Sequence, residues 1–462
     1  MAPQLRRVLG FRDLVLFYVA TTLSLRWVAT AAVAGPSALT LWVIGAACLF
    51  VPLVFTVLEL SSRYPDEGGL YVWSKRAFGP FAGFMTGWTY WGSNLPYLPG
   101  LLYFIAANAL FMGGPEAQKL STNSTYFIAV SFVGLALSVW LNVIGLNVGK
   151  WLSNIGAIAG WIALALLIPF GIYSGFKYGF ATPITMRSLV PGAGLKELVF
   201  FSTIVFAYAG VESASTMAEE IVDARRNVPR AVIVSAIVIA ALYILGTWSI
   251  LVALPPNQAS GLQGLVQAMQ AIAARAGVPW LVPIVAALVV VNVLGAVAGW
   301  FAATARLPFV AGVDRFLPEA FGRLHPRWQT PYVALLVQAA FAAVFVVLGQ
   351  VGTSVRGAYD ALISMGIIGQ FIPYLFMFAA MAVLQREPAG PEVMRTPGGA
   401  PVARALAAVG FLVSVAAIVL ACVPADDDPN KTLAVIKIVG ASVALFAMGT
   451  AIYFIGTRKR LS

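Results

Sequence analysis

Residues able to do chemistry are scarce in this chain, which is 60% hydrophobic and only 10% charged. Glu212 sits in "FAYAGVESAS", directly behind the apolar run "LVFFSTIV". A carboxyl at such depth can take up and release a proton as its access to water changes. Gly210, two residues earlier, is a weak helix former. It stands among Ala207, Ala209, Ser213, Ala214 and Ser215, so a helix can open there. Arg26, in "TTLSLRWVATAAVAGP", is a second anomaly: a fixed cation inside an apolar run, with Ser24 and Trp27 beside it. It can attract an anionic group from a cavity, or it can pair with Glu212 or Glu59 inside the protein. The sequence leaves both open. Ionisable residues within apolar spans mark functional sites by default, and a structural interhelical carboxylate is the plainer alternative for Glu212.

Nothing nearby points to covalent or hydrolytic chemistry. HExxH, GxSxG and P-loop patterns are absent, and "GLNVGKW" lacks the spacing and the Ser/Thr of a phosphate loop. His325 is the only histidine and lies in a loop without a second metal ligand nearby. No enzyme activity, cofactor or metal is expected. Cys48 and Cys422 both lie in apolar runs, where a disulfide framework is not expected.

The elements that position these residues follow from composition. Soluble domains carry about 25% charged residues, whereas this chain has a mean hydropathy of +0.88. One core cannot hide that much apolar surface, so lipid is the solvent. The net charge of +11 comes from basic residues scattered singly, with no basic aromatic patch, and no nucleic-acid partner is expected. Apolar runs of about 20 residues cross the hydrocarbon of a bilayer. Spans are read at 13–34, 39–61, 81–111, 125–146, 151–174, 196–221, 231–253, 279–305, 331–349, 358–384, 403–423 and 433–456. The first, uncleaved, is interrupted by Arg26 and the sixth by Glu212. With twelve spans and both termini cytoplasmic, 20 of the 29 Lys and Arg residues fall on the inner side, eight outside and one, Arg26, within a span. The positive-inside rule expects that bias. The chain reads as a single polytopic domain over 1–462.

A broken helix exposes backbone groups that lipid cannot satisfy, so breaks belong where they line a watery cavity. Paired breaks in corresponding spans of two repeats bind substrate at the midplane of many transporters. Spans one and six are corresponding members if the core is two repeats of five. The pairs Glu59 with Arg63, and Arg356 with Asp360, each four apart, read as ion pairs at the inner and outer ends. "DEGGLYVWSKRAFGPF", residues 66–81, reads as an interfacial amphipathic segment, with an inner gate as its functional alternative.

Three stretches carry a resemblance over nearly the full length: "ELSSRYPDEGGLYVWSKRAFGPFAGFMTGWTYW" (59–91), "FAYAGVESAS…ARRNVPRA" (206–231) and "GWFAATARLPFVAGVDRFLPEAFGRLHPRWQTP" (299–331). The chain resembles the amino acid–polyamine–organocation superfamily of transporters, and within it the glutamate:GABA antiporter-like permeases. That branch also lacks the glycine-rich first-span motif and has an eleventh span similar to "RTPGGAPVARALAAVGFLVSVAAIVLACVPADD". Arg26 has no expected counterpart there. The resemblance implies an all-α integral membrane protein with a LeuT-type core of two inverted five-helix repeats, at about 11–175 and 195–385, plus two extra helices at about 403–456. It implies alternating access in the cell membrane around a small amino acid or amine, by antiport or proton symport. Sodium-coupled uptake and a transporter-like nutrient sensor are the alternatives. Glu212 matches a sixth-span glutamate similar to the proton-responsive residue of arginine:agmatine antiporters. Phe206 falls where the family has a gating aromatic, and Trp300, in "AGW", matches an eighth-span aromatic at the site. Ser24, Arg26, Trp27, Phe206, Ala207, Gly210 and Trp300 are the expected substrate contacts.

Overall fold

The computed structural model describes residues 10–64, 69–144, 146–192, 194–212, 222–313, 317–328, 330–391, 393–424 and 430–461. Among them every regular element is helical. Counting helices of eight residues or more, these are α1 (Phe11–Thr22), α2 (Leu25–Ala32), α3 (Ser37–Arg63), α4 (Leu70–Phe78), α5 (Pro80–Ala109), α6 (Ser124–Ile144) and α7 (Leu146–Tyr178). There follow α8 (Leu195–Ala207), α9 (Ala224–Ala253), α10 (Gly264–Ala276), α11 (Leu281–Val313), α12 (Tyr332–Gln350), α13 (Val355–Leu384), α14 (Gly399–Ala421) and α15 (Lys431–Leu461).

Ten helices among the described residues are long and apolar enough to cross a membrane. They coincide with ten of the spans expected from hydropathy. The other two are the interrupted ones. The first divides into α1 and α2 around Leu23 and Ser24. Of the sixth, only the 13-residue α8 and the turn up to Glu212 are described. Its remainder, 213–221, lies outside the described residues.

Burial separates the centre from the rim. In the most apolar stretch of Pro80–Met112 83% of residues are buried, and in that of Val355–Leu384 67%, against 11% for Lys431–Arg458. α5 and α13 therefore form the middle of the bundle, packed on each other, and α15 presents most of its surface outward. α11 packs against α7 and α5. Its closest approach runs through glycine: a Cβ at Gly295 would stand 2.7 Å from the Leu152 carbonyl oxygen and 2.9 Å from Gly156 Cα. Asn292 Nδ2 donates to the Gly156 carbonyl at 2.9 Å across the same contact. This seam sets the depth and rotation of α11, and hence the placement of Asn292 and Trp300.

Both four-apart ion pairs form. Arg63 Nη2 lies 2.9 Å from Glu59 Oε1, and Arg356 Nε 3.8 Å from Asp360. Within the 66–81 segment, α4 buries Leu70, Trp73 and Ser74 and exposes Lys75 and Arg76; residues 66–68 lie outside the described residues. Cys48 and Cys422 are free.

Candidate functional site

The first break is local and sharp. The last α1-type hydrogen bond is Leu23 N–H to the Val19 carbonyl, 2.9 Å. Ser24 is extended (φ −125°, ψ 127°), and α2 starts afresh at Leu25 without a side-chain cap. The Trp27 N–H folds back on the Ser24 carbonyl at 3.1 Å, which leaves the Leu25 and Arg26 N–H groups without intrahelical partners. In the second break, α8 stops at Ala207 and its last carbonyls take tight turns: Tyr208 N–H bonds Val205, and Ala209 N–H bonds Phe206. Gly210 then adopts φ +125°, a conformation that glycine reaches without steric cost.

The two breaks meet at one oxygen. The buried Tyr243 hydroxyl, on α9, accepts from Ser24 N–H at 3.1 Å and lies in donor range of the Thr22 carbonyl (2.7 Å) and the Ala207 carbonyl (3.1 Å). Its ring stacks on Trp42 of α3 at 4.2 Å and 4°. Trp42 is itself held by a bond from its indole N–H to Thr247 Oγ1.

Between the breaks lies a cavity of about 70 Å³. One water needs roughly 10–15 Å³ on that scale, so the space suits a handful of waters or a small zwitterion. Thr22, Leu23 and Ser24 line it from the first break, Ala209 and Gly210 from the second. Trp27, Tyr97 and Phe206 form an aromatic wall; Phe206 meets Trp27 edge-on at 5.4 Å and Tyr97 at 5.8 Å. α11 contributes Asn292 and Trp300, and Asn94 and Gln370 add polar groups from α5 and α13.

Of the expected contacts, Ser24, Trp27, Phe206, Gly210 and Trp300 line this cavity. Ala207 does not; its side chain is buried and its carbonyl faces Tyr243. Glu212, 1% exposed, stands behind the lining. Its Oε2 accepts from Tyr374 Oη (2.6 Å) and Gly210 N–H (2.9 Å), and its Oε1 from Gln370 Nε2 (3.0 Å) and Tyr90 Oη (3.2 Å). Two of those partners, Gly210 and Gln370, also line the cavity. A tyrosine hydroxyl both donates and accepts, so this cage can satisfy the carboxyl with or without a proton.

Arg26 corrects one expectation. It pairs with neither Glu212 nor Glu59. Glu59 is taken by Arg63, Gln385 and Thr396, and no guanidinium nitrogen of Arg26 has a hydrogen-bond partner among the described residues. The side chain is fully buried, outside the cavity lining, with Cζ 3.9 Å from the Trp27 ring centroid and 4.8 Å from that of Tyr97. A tight aromatic hold replaces the ion pair.

Asn94, Tyr97, Asn292, Gln370, Tyr90, Tyr374 and Tyr243 were not singled out from the sequence. Three carry a usable signal, because Asn94, Asn292 in "VVVNV" and Gln370 in "IIGQF" are lone amides in apolar runs. The tyrosines carry none, since an aromatic in a span is ordinary.

Two helix breaks facing one cavity, in a bundle whose described elements are all helical, are the geometry expected of a membrane permease. The chain belongs to the amino acid permease family, which matches residues 9–448, and so to the amino acid–polyamine–organocation superfamily of multi-pass membrane transporters. It is similar to an uncharacterised transporter of Legionella pneumophila, 28% identical over 93% of this chain and 92% of that protein. It is also similar to a probable agmatine/putrescine antiporter of Lactococcus lactis (24%; 92% and 90%) and to the glutamate/gamma-aminobutyrate antiporter of the same organism (24%; 84% and 78%).

Proposed function

We propose that this chain is a secondary active transporter that exchanges amino acids or related amines, or moves them with protons, by alternating access. The observation that carries the reading is the cavity at which both helix breaks open. The Leu25 and Arg26 N–H groups at the start of α2 offer a positive end for a substrate carboxylate, and the C-terminal end of α8 a negative end for its ammonium group. Ser24, Gly210, Trp27, Phe206 and Trp300 surround the space where such a zwitterion fits. Glu212 is the proton-coupling group: its hydrogen bonds to Gly210 and Gln370 tie its protonation to the cavity wall.

In this reading α1–α2 and α8 with its continuation are the first and sixth of twelve spans. The core is two inverted five-helix repeats, about 11–175 and 195–385, and α14 and α15 are the two extra helices. Both termini lie in the cytoplasm and the bilayer is the cell membrane. The relatives named as antiporters support exchange, and their substrates set the range to be screened. Uptake of radiolabelled amino acids and amines into proteoliposomes, with pH and sodium varied, tests it. Exchange or pH-driven accumulation of at least one substrate supports the proposal; binding without movement under every gradient overturns it in favour of a sensor.

A further inference from the structure

Arg26 has a charge that nothing described in the protein answers. Its side chain is fully buried, and Nε, Nη1 and Nη2 make no hydrogen bond among the described residues. A guanidinium carries five N–H donors and keeps its charge in proteins. Its neighbours are ring faces: Trp27 at 3.9 Å, Tyr97 at 4.8 Å and Tyr359 at 5.9 Å from Cζ. Such faces attract a cation but accept none of its planar hydrogen bonds. Among the described residues the buried acids are occupied, Glu212 by the tyrosine and glutamine cage and Glu59 by Arg63, Gln385 and Thr396. Asp360 faces Arg356.

Trp27 and Tyr97 touch both the guanidinium and the cavity. These two rings are therefore what separates the fork from the cavity. Gly100, three residues beyond Tyr97 on α5, lies beside the fork and lets α5 approach Ile363 of α13: a Cβ there would stand 2.9 Å from Ile363 Cδ1 and 3.9 Å from Nη1. The helix ends already match the two charges of a zwitterion. A third charge, negative, is what the unpaired fork requires, and a carboxylate accepts it bidentately.

We propose that Arg26 is a carboxylate-binding residue that receives the side chain of an acidic amino acid, making the cargo a net anion and rejecting polyamines by like charge. This deepens the transporter reading and rests on it. The same fork would also hold a free inorganic anion such as chloride, and the experiment separates the two sources.

Binding of L-glutamate, L-aspartate, L-glutamine, L-asparagine and agmatine is measured on the purified full-length protein in nanodiscs, in chloride and in gluconate buffers. Wild type is expected to bind at least one acidic amino acid tenfold or more tighter than its amide isostere, in both buffers, and agmatine weakest. R26Q is expected to erase the acid-over-amide ratio, and R26K to keep part of it. Equal binding of acid and amide by wild type, or an undiminished ratio in R26Q, overturns the proposal. So does amide binding that needs both chloride and Arg26, since the fork then serves an inorganic anion. Should R26Q lose its monodisperse elution, the wild-type acid-to-amide ratio and R26K decide alone. Counterflow in proteoliposomes keeps the two readings apart. Exchange of neutral or cationic amino acids with exclusion of acidic ones sinks the Arg26 assignment and leaves the transporter standing. Acid-selective binding without exchange does the reverse.

Discussion

Replacing Tyr243 by Phe removes one oxygen and leaves the aromatic stack on Trp42 in place. That oxygen accepts the Ser24 N–H and donates its single proton to the Thr22 or the Ala207 carbonyl. Two buried backbone groups at the breaks therefore lose a partner. Each orphaned buried group costs about 1–3 kcal/mol, and water admitted through the cavity recovers some of that, so a total near ~3 kcal/mol is reasonable. If half of it falls on the juxtaposition of the breaks, affinity drops by about tenfold, since about 1.4 kcal/mol is one decade. The control is Tyr103→Phe, which removes an equally buried hydroxyl bonded to the Val346 carbonyl at 2.7 Å, far from both breaks in its bonding. The assay is substrate binding together with thermal unfolding in one detergent. Both variants should melt earlier, but only Tyr243→Phe should bind more weakly. Wild-type affinity in Tyr243→Phe, or an equal loss in both variants, would refute the claim that this hydroxyl joins the breaks.

Four further outcomes are expected. Glu212→Gln should keep the protein folded, because an amide can enter the same cage, and should flatten the pH dependence of transport; pH profiles that coincide with wild type would make Glu212 structural. Trp300→Ala should weaken binding of an amine-bearing substrate by roughly 0.5–2 kcal/mol, read as a rise in Kd without loss of monodispersity, and an unchanged Kd would remove Trp300 from the site. Just past the C-terminal end of α13, Arg76 and then Tyr64 donate to Glu387 and hold its carboxyl below the usual range; such a group adds stability above the unfolded pKa, and the gain disappears as pH falls through the folded one. Wild type should therefore melt slightly above Glu387→Gln near neutrality, by no more than about 0.2–1 kcal/mol for so exposed a pair, with the gap closing in acid; a gap that widens in acid would reverse the assignment. A reporter fused to the C-terminus should be active on the cytoplasmic side, and activity on the outer face alone would break the twelve-span topology.

The sequence showed best what depends on near neighbours in the chain. Ten spans are legible because each is a continuous apolar run. Both breaks are legible because a polar or charged residue beside Ser24 or Gly210 conflicts with a helix in lipid. Five of the seven expected contacts reach the cavity, since they flank the breaks or match a long motif. Arg26 was half legible: its charge could be seen, but whether a carboxylate answers it is decided by how α2, α5 and α13 meet. Tyr243 was invisible for a related reason. "AALYILGTW" is an ordinary apolar stretch, and the importance of its hydroxyl arises only when two chain ends from α1 and α8 converge on it. The cage of Glu212 likewise joins α5 and α13, which local sequence cannot pair.

On this reading, the cavity between the breaks carries a substrate across the membrane. Counterflow tests it most directly: purified protein in proteoliposomes is loaded with an unlabelled amino acid, and the labelled one is supplied outside without nucleotide. Label should accumulate transiently above equilibrium for at least one amino acid or amine, and competing substrate should abolish the overshoot. Saturable binding of that same substrate to the protein, with no accumulation at any imposed pH or sodium gradient, would contradict it.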